Sequence, residues 1–163
     1  KMSVFISYRH TDRTTALLIQ RRLADSGIKT YLDVLDVESA NTENITATIS
    51  KNILQATHLI AVMSHDTAKS WWVPFEIGEA TITNRRIASY RTSILRLPEY
   101  LEMWPQMSEL SHLDLFINEY LSQKQHGLFE SSGSRSSTAS INDEARMARE
   151  FHSNLKARLG PRP

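Results

Sequence analysis

The stretch that decides the fold is Val4-Phe5-Ile6-Ser7-Tyr8-Arg9, an almost continuous apolar run that ends in polar side chains. Such a run is typical of a strand covered on both faces, as in a parallel sheet. A helix is predicted next, because Asp12 offers an N-cap, apolar residues then repeat at helical spacing, and Gly27 supplies a C-terminal stop. A strand followed directly by a helix is the first half of a βαβ unit.

The alternation of strand and helix continues to about residue 91. Further strands are predicted at 28–33, 58–64 and 87–91, and helices around 45–53 and 72–86. The strand at 87–91 is the least apolar, which places it nearer an edge of the sheet. Residues 113–121 fit a fifth strand, a helix, or one after the other. This order predicts a doubly wound α/β fold, with a central parallel sheet of about five strands and helices on both faces.

The C-terminal part is predicted to be a linker followed by a helix. Residues 131–140 are rich in serine and have no apolar content to bury. Asn142 then caps a helical run that ends at Gly160. Its apolar stripe, which must pack on the domain or on another chain, consists of Met147, Phe151 and Leu155. The predicted division is a domain at 2–123, a linker at 124–141 and a C-terminal helix at 142–160.

Composition limits the classes of function. The 163 residues suit one domain, and 19 Lys plus Arg against 18 Asp plus Glu leave a charge of +1, so no global field favours nucleic acid or an anionic membrane. The chain has no cysteine, which excludes disulfides, thiolate zinc sites and cysteine nucleophiles. No apolar run approaches the roughly 20 residues of a membrane span. We therefore expect a cytoplasmic protein that binds neither nucleic acid nor membrane.

Polar side chains follow three of the predicted strands. In doubly wound sheets, ligands bind beyond the carboxyl ends of the strands. The residues expected there, which are the candidates for substrate contact, are Tyr8, Arg9 and His10 after the first strand, Asp33 after the second and Ser64 after the third.

A second motif, Trp71-Trp72-Val73-Pro74-Phe75-Glu76, places a carboxyl group one helical turn after a tryptophan. On a continuous helix Trp72 and Glu76 share one face. Pro74 predicts that Glu76 lies in the first turn, where the helix macrodipole favours the ionised form. A carboxylate, an aromatic wall and a guanidinium together suit the cleavage of a glycosidic bond in a nucleotide.

On these residues the chain resembles a Toll/interleukin-1 receptor (TIR) domain. The match rests on residues 4–9, on Asp33 and on residues 72–76, and it is most similar to the NAD-cleaving branch found in bacterial anti-phage systems. This resemblance implies that Glu76 is catalytic in cleaving the bond between nicotinamide and ribose. That bond breaks through an oxocarbenium-like state, which a carboxylate can stabilise or trap. It also implies that Trp72 walls the site and that Arg9 holds a phosphate or ribose oxygen.

The resemblance makes NAD⁺ a substrate and not a retained cofactor. The five glycines form no phosphate-cradling loop and the six histidines show no metal-ligand spacing, so we expect no cofactor and no metal site. The resemblance further implies self-association through TIR surfaces. It also implies one of two outcomes of the reaction: either a cyclic or modified ADP-ribose activates a downstream effector, or NAD⁺ is simply depleted. The sequence does not decide between these outcomes.

Two other functions fit the same sequence. One is a non-enzymatic TIR signalling adaptor that associates through the connection at 34–43 and through its helices. The other is a nucleoside-processing glycosyl hydrolase or transferase on a similar α/β fold, which also places a glutamate near a ribose. A comparison of NAD⁺ with free nucleosides as substrates separates the second alternative from the NAD-cleaving enzyme.

Overall fold

A parallel sheet forms the centre of the molecule. The computed structural model describes residues 1–34, 42–67, 72–93, 96–130 and 137–161. Within these ranges the strands are β1 (Val4–Tyr8), β2 (Thr30–Val34), β3 (His58–Met63), β4 (Arg86–Arg91) and β5 (Gln106–Met107). All neighbouring pairs are parallel, in the order β2-β1-β3-β4-β5. This order confirms the predicted doubly wound sheet.

Helices cover both faces of the sheet. They are α1 (Arg13–Asp25), α2 (Thr42–Gln55), α3 (Trp72–Ile82), α4 (Leu110–Glu130) and α5 (Ser137–Leu159). Short 3₁₀ turns lie at His10–Asp12 and Glu99–Leu101. One hydrophobic core joins the sheet to α1, α4 and α5, and a second joins it to α2 and α3. The predicted helices on both faces are therefore confirmed.

The alternation of side chains along β1 decides what each residue of this strand contacts. Val4, Ile6 and Tyr8 belong to the core under α1 and α4, whereas Phe5 belongs to the core under α2 and α3. Because successive side chains of a strand point to opposite faces, Ser7 shares the face of Phe5. This face is the one that α3 covers.

The far side of the sheet resolves what the sequence left open. β4, which was predicted nearer an edge, is one strand in from the edge strand β5. It pairs with β3 on one side and β5 on the other, and its first five residues are buried. Residues 113–121 lie entirely within α4, and the fifth strand is Gln106–Met107 instead. A strand of two residues is too short to show a period of hydrophobicity.

The C-terminal region is also more helical than predicted. α4 extends to Glu130 and α5 begins at Ser137, so helices occupy 124–130 and 137–141 of the predicted linker. Residues 131–136 lie outside the described part of the chain. Phe151 and Leu155 of the predicted stripe are fully buried in the core that α1 and α4 share. The stripe therefore packs on the domain itself.

Two ion pairs, each with one buried partner, fix the position of α5. Arg86 is only 2% exposed, and its Nη1 donates to Glu144 Oε2 of α5 at 2.6 Å. Its Nε donates to Gln123 Oε1 of α4 at 3.0 Å. A second pair joins the same helices, since Arg158 lies 3.0 Å from the buried Glu119. Because an unpaired buried charge is costly, these pairs fix how α5 is seated on α4 and β4.

Two histidines lie where α5 packs on the sheet, and both are neutral. His152 Nε2 accepts a hydrogen bond from the backbone N–H of Ile87 at 2.7 Å. Burial lowers the pKa of His152 to about 4, with smaller contributions from Lys156 and Arg86. His58 is completely buried beside Phe151, and burial lowers its pKa well below the ordinary value. Protonation of either ring therefore opposes the folded state.

We expect the free energy of unfolding to decrease as the pH falls from about 6.5 towards about 4. In this window the unfolded chain binds protons that the folded chain excludes, because the folded pKa of each histidine is lowered. His152→Gln keeps an acceptor for the Ile87 N–H but does not titrate, so it should make the decrease shallower. Urea unfolding at stepped pH measures this. His65→Gln, at an exposed site, is the control, and an unchanged slope in His152→Gln would contradict the prediction.

Candidate active site

Glu76 is fully buried on α3, where it contacts β1. The Ser7 hydroxyl donates to Glu76 Oε2 at 2.5 Å, and Ser7 is itself 2% exposed. This contact follows from the strand alternation that directs Ser7 towards α3. A buried hydroxyl needs a hydrogen-bond partner, and the carboxyl group supplies it. The last residues of β1 therefore hold the predicted catalytic side chain in one position.

The position of Glu76 along α3 corrects the predicted one. The helix begins at Trp72, so Glu76 is its fifth residue and no acidic residue lies in the first turn. Proline is tolerated in a first turn, which lets the helix start two residues before Pro74. Because the effect of the macrodipole falls off within the first turn, the predicted stabilisation of the ionised form by the helix end is weakened.

A buried polar cluster joins the turn after β1 to the segment after β3. Asp12 Oδ2 accepts hydrogen bonds from Ser64 Oγ at 2.8 Å and from Thr67 Oγ1 at 2.9 Å. The two hydroxyls are also 3.0 Å apart. Asp12 was expected to cap α1, but its side chain makes no cap hydrogen bond. Ser64, a predicted substrate contact, uses its hydroxyl within this cluster.

Arg9 and His10 lie where they were predicted, beyond the carboxyl end of β1. Arg9 is partly buried, and its Nη1 donates to the backbone carbonyl of Asp66 at 3.3 Å. His10 is exposed at the start of the 3₁₀ turn. The structure thus brings Arg9 to the same segment that Asp12 contacts.

The remaining predicted substrate contacts are Tyr8, Asp33 and Trp72. Tyr8 is 4% exposed and belongs to the core on the opposite face of the sheet from α3. Asp33 pairs in register with Ser7, and Trp72 is the first residue of α3, but the side chains of both lie outside the described residues. Trp71 lies outside them entirely. The roles given to Asp33 and Trp72 remain predictions.

Sequence reasoning missed three residues of this site. Ser7, Asp12 and Thr67 were given no part in the predicted site. One signal was present for Ser7, which is a single hydroxyl in an otherwise apolar strand. A polar group at such a position must find a buried partner.

The described part of the chain shows no metal site and no membrane span. No group of three or more His, Cys, Asp or Glu side chains in it could hold a metal ion. Among the helices that the structure describes, none combines the length and the hydropathy that a membrane span needs. The site offers chemically the carboxyl group of Glu76, which the Ser7 hydroxyl of β1 holds in place. It also offers the guanidinium of Arg9, which follows the end of β1.

These features define a doubly wound, flavodoxin-like α/β domain with a buried glutamate near the carboxyl edge of its sheet. A family model described as "TIR domain" matches residues 4–128, which is well over half of the chain. The chain therefore belongs to the TIR domain family, as the resemblance in the sequence implied.

A solved structure supports the same fold. The chain is similar to the TIR domain of the Toll-related receptor TRR-2 from the lower metazoan Hydra magnipapillata, with 20% identity and a TM-score of 0.57. That match covers 76% of this chain and 98% of the receptor domain. The TIR domains of the activated Roq1 resistosome, which directly recognizes the effector XopQ, match at 15% identity with a TM-score of 0.45 over 98% of both chains. None of the curated proteins matches the sequence.

Proposed function

We propose that this TIR domain is an NAD⁺ nucleosidase that cleaves the bond between nicotinamide and ribose, with Glu76 as the catalytic residue. The observation that carries the proposal is the buried hydrogen bond between Ser7 and Glu76. It holds a carboxyl group beside the last residues of β1, near the edge of the sheet where doubly wound folds bind ligands. A catalytic group must be held in this way to meet its substrate in a productive geometry.

One carboxylate is sufficient for this reaction. When the bond from C1′ of the ribose to the nicotinamide nitrogen breaks, the electron pair leaves with nicotinamide, which departs as a neutral molecule. No strong general acid is therefore required. The positive charge that develops at C1′ is stabilised by the Glu76 carboxylate or trapped as a covalent ester. Water then attacks C1′ and gives ADP-ribose and a proton, or a nitrogen of the adenine attacks and gives a cyclic product.

In this proposal the rest of the substrate is assigned to residues at the carboxyl ends of β1 and β2 and to the start of α3. Arg9 is anchored through Nη1 to the Asp66 carbonyl, and its guanidinium is suited to a phosphate or ribose oxygen. Trp72, one helical turn before Glu76, provides the aromatic wall in this proposal. His10 and Asp33 complete the proposed set of substrate contacts.

The complete burial of Glu76 gives the proposal a further part. A ribose reaches this side chain only after the residues that bury it have moved. We therefore propose that the active form is a self-associated assembly in which the cleft is open. The cellular role proposed is anti-phage defence in the bacterial cytoplasm, through an ADP-ribose-derived signal to an effector or through depletion of NAD⁺.

The experiment is to incubate concentrated protein with NAD⁺, alone and with lysate of infected cells, and to identify the products by mass spectrometry. Release of nicotinamide, with ADP-ribose or a cyclic product, is the expected result. Free nucleosides, offered in parallel, should remain intact, and their cleavage would support the nucleoside-processing alternative. The burial of Glu76 favours the adaptor as the second candidate, and NAD⁺ left intact under every assembling condition would support that function.

A further inference from the structure

Asp12 uses its side chain in an unusual way for its position. It stands at the N-cap of α1, where an aspartate accepts backbone N–H groups of the first turn and contributes typically about 1 kcal/mol. Here the side chain makes no such bond, and one of its oxygens accepts the hydroxyls of Ser64 and Thr67 instead. The local stabilisation of a cap is thus replaced by two long-range contacts. Ser64 lies 52 positions further along the chain than Asp12, and Thr67 lies 55 positions further along.

Two of the three side chains in this contact are buried, and Ser64 is half-buried. Asp12 is 8% exposed and Thr67 is 1% exposed. Because a buried carboxyl group is costly unless it is hydrogen-bonded, loss of the two donors would strongly disfavour this arrangement. The cluster therefore behaves as a clamp, here called the Asp12 clamp, which consists of Asp12, Ser64 and Thr67.

The Asp12 clamp is tied to Arg9 at two points. The backbone N–H of Asp12 donates to the Arg9 carbonyl at 2.8 Å, which closes the 3₁₀ turn. The Arg9 guanidinium donates to the Asp66 carbonyl, and Asp66 lies between the two clamped hydroxyl residues. The clamp thus holds both the backbone of Arg9 and the segment that its guanidinium contacts.

We propose that Asp12 is a positioning residue, which orients Arg9 towards the substrate by clamping the segment after β3 against the turn after β1. This inference rests on the proposed function, in which Arg9 binds a phosphate or ribose oxygen of NAD⁺. Asp12 acts through Arg9 and not on the reacting bond. Its loss therefore weakens substrate binding more than it slows the chemical step.

The first test is a double-mutant cycle on the full chain. Asp12→Ala is expected to raise KM for NAD⁺ about tenfold while kcat stays within about threefold, because binding is lost equally in the ground state and the transition state. Arg9→Ala should do the same. The double variant should be no worse than Arg9→Ala alone, since the two residues act as one unit. Thr11→Ala, at an exposed residue of the same turn, is the control.

Two outcomes of the cycle would overturn the inference. One is full additivity of the Asp12 and Arg9 effects, and the other is a loss confined to kcat. If Asp12→Ala does not fold, Thr67→Val removes one donor with little change of shape, and it should raise KM about threefold with kcat unchanged. An unchanged KM in Thr67→Val would count against the clamp in the same way.

The second test does not use NAD⁺, so it separates failure of the clamp from failure of the proposed function. Hydrogen exchange of the backbone amides at 64–67 is measured in the wild type and in Asp12→Ala. Exchange at least about tenfold faster in the variant supports the clamp, because local opening is governed by the lost hydrogen bonds. Unchanged exchange overturns the clamp even where the wild type cleaves NAD⁺.

Discussion

Glu76→Gln is expected to lower the rate of NAD⁺ cleavage by at least about a hundredfold while the fold is retained. An amide has nearly the shape of a carboxylate but no negative charge, so it neither stabilises nor traps the cation at C1′. A hundredfold loss corresponds to about 2.7 kcal/mol of transition-state stabilisation. The Ser7 hydroxyl can still donate to the amide oxygen, which preserves the buried contact. Product formation by mass spectrometry and the thermal midpoint Tm measure the two parts of the prediction.

Glu79→Gln is the matched control for this variant. Glu79 lies on the same helix three residues later and accepts a hydrogen bond from Ser50 Oγ at 2.7 Å, on the side of α3 that faces α2. Glu79→Gln makes the same change of charge as Glu76→Gln, but at a site without a proposed catalytic role. The activity of this variant should therefore stay near that of the wild type. Equal consumption of NAD⁺ by the wild type and Glu76→Gln would show that the catalytic residue has been assigned wrongly.

The sheet was predictable because its central strands are buried on both faces. β1 and β3 appear in the sequence as continuous apolar runs, and parallel pairing follows from the helices between them. β5 was not predictable, because its two residues follow Pro105 and show no pattern of their own. Its existence depends on pairing with β4, which is a tertiary contact. Local sequence carries no information on such a contact.

The candidate site was predictable only in part for a similar reason. Glu76 and Arg9 were predicted as site residues because they stand at recognisable positions of strand and helix, and their roles stay predictions. Asp12 has two competing uses, as a local cap and as a partner for Ser64, which is 52 residues away. The local signal predicts the cap, and the tertiary contact prevails in the structure.

The C-terminal helix shows the limit of composition as a guide. The serine-rich stretch predicts a linker, but serine is only modestly unfavourable inside a helix. Once the stripe around Phe151 packs on the core, helix propagation towards the N-terminus costs little, and α5 extends back to Ser137. Packing, which the sequence does not display, decides where this helix begins.

Phe151→Ala is expected to lower the free energy of unfolding by about 3–5 kcal/mol. The ring is fully buried and packs edge-to-face on Phe116, with centroids 5.3 Å apart, and on His58 at 4.8 Å. Its removal takes away the free energy that the folded state gains by moving the ring from water into the core. It also leaves a cavity between α4, α5 and the sheet. Since a domain is stabilised by about 5–15 kcal/mol in total, this one change removes a large share. Urea unfolding followed by circular dichroism measures it.

Ile141→Ala is the control for this variant, because Ile141 lies on the same helix and is 64% exposed. It should change the free energy of unfolding by no more than about 0.5 kcal/mol.

The pair of variants also decides whether α5 is an integral part of the domain. If α5 shares the core, Phe151→Ala shifts the midpoint of one cooperative transition. If α5 were an appendage, the main transition would keep its midpoint and only a separate loss of helix would appear. The buried contacts of Arg86 with both α4 and α5 favour the single transition, because detachment of α5 would leave a buried cation without its carboxylate partner.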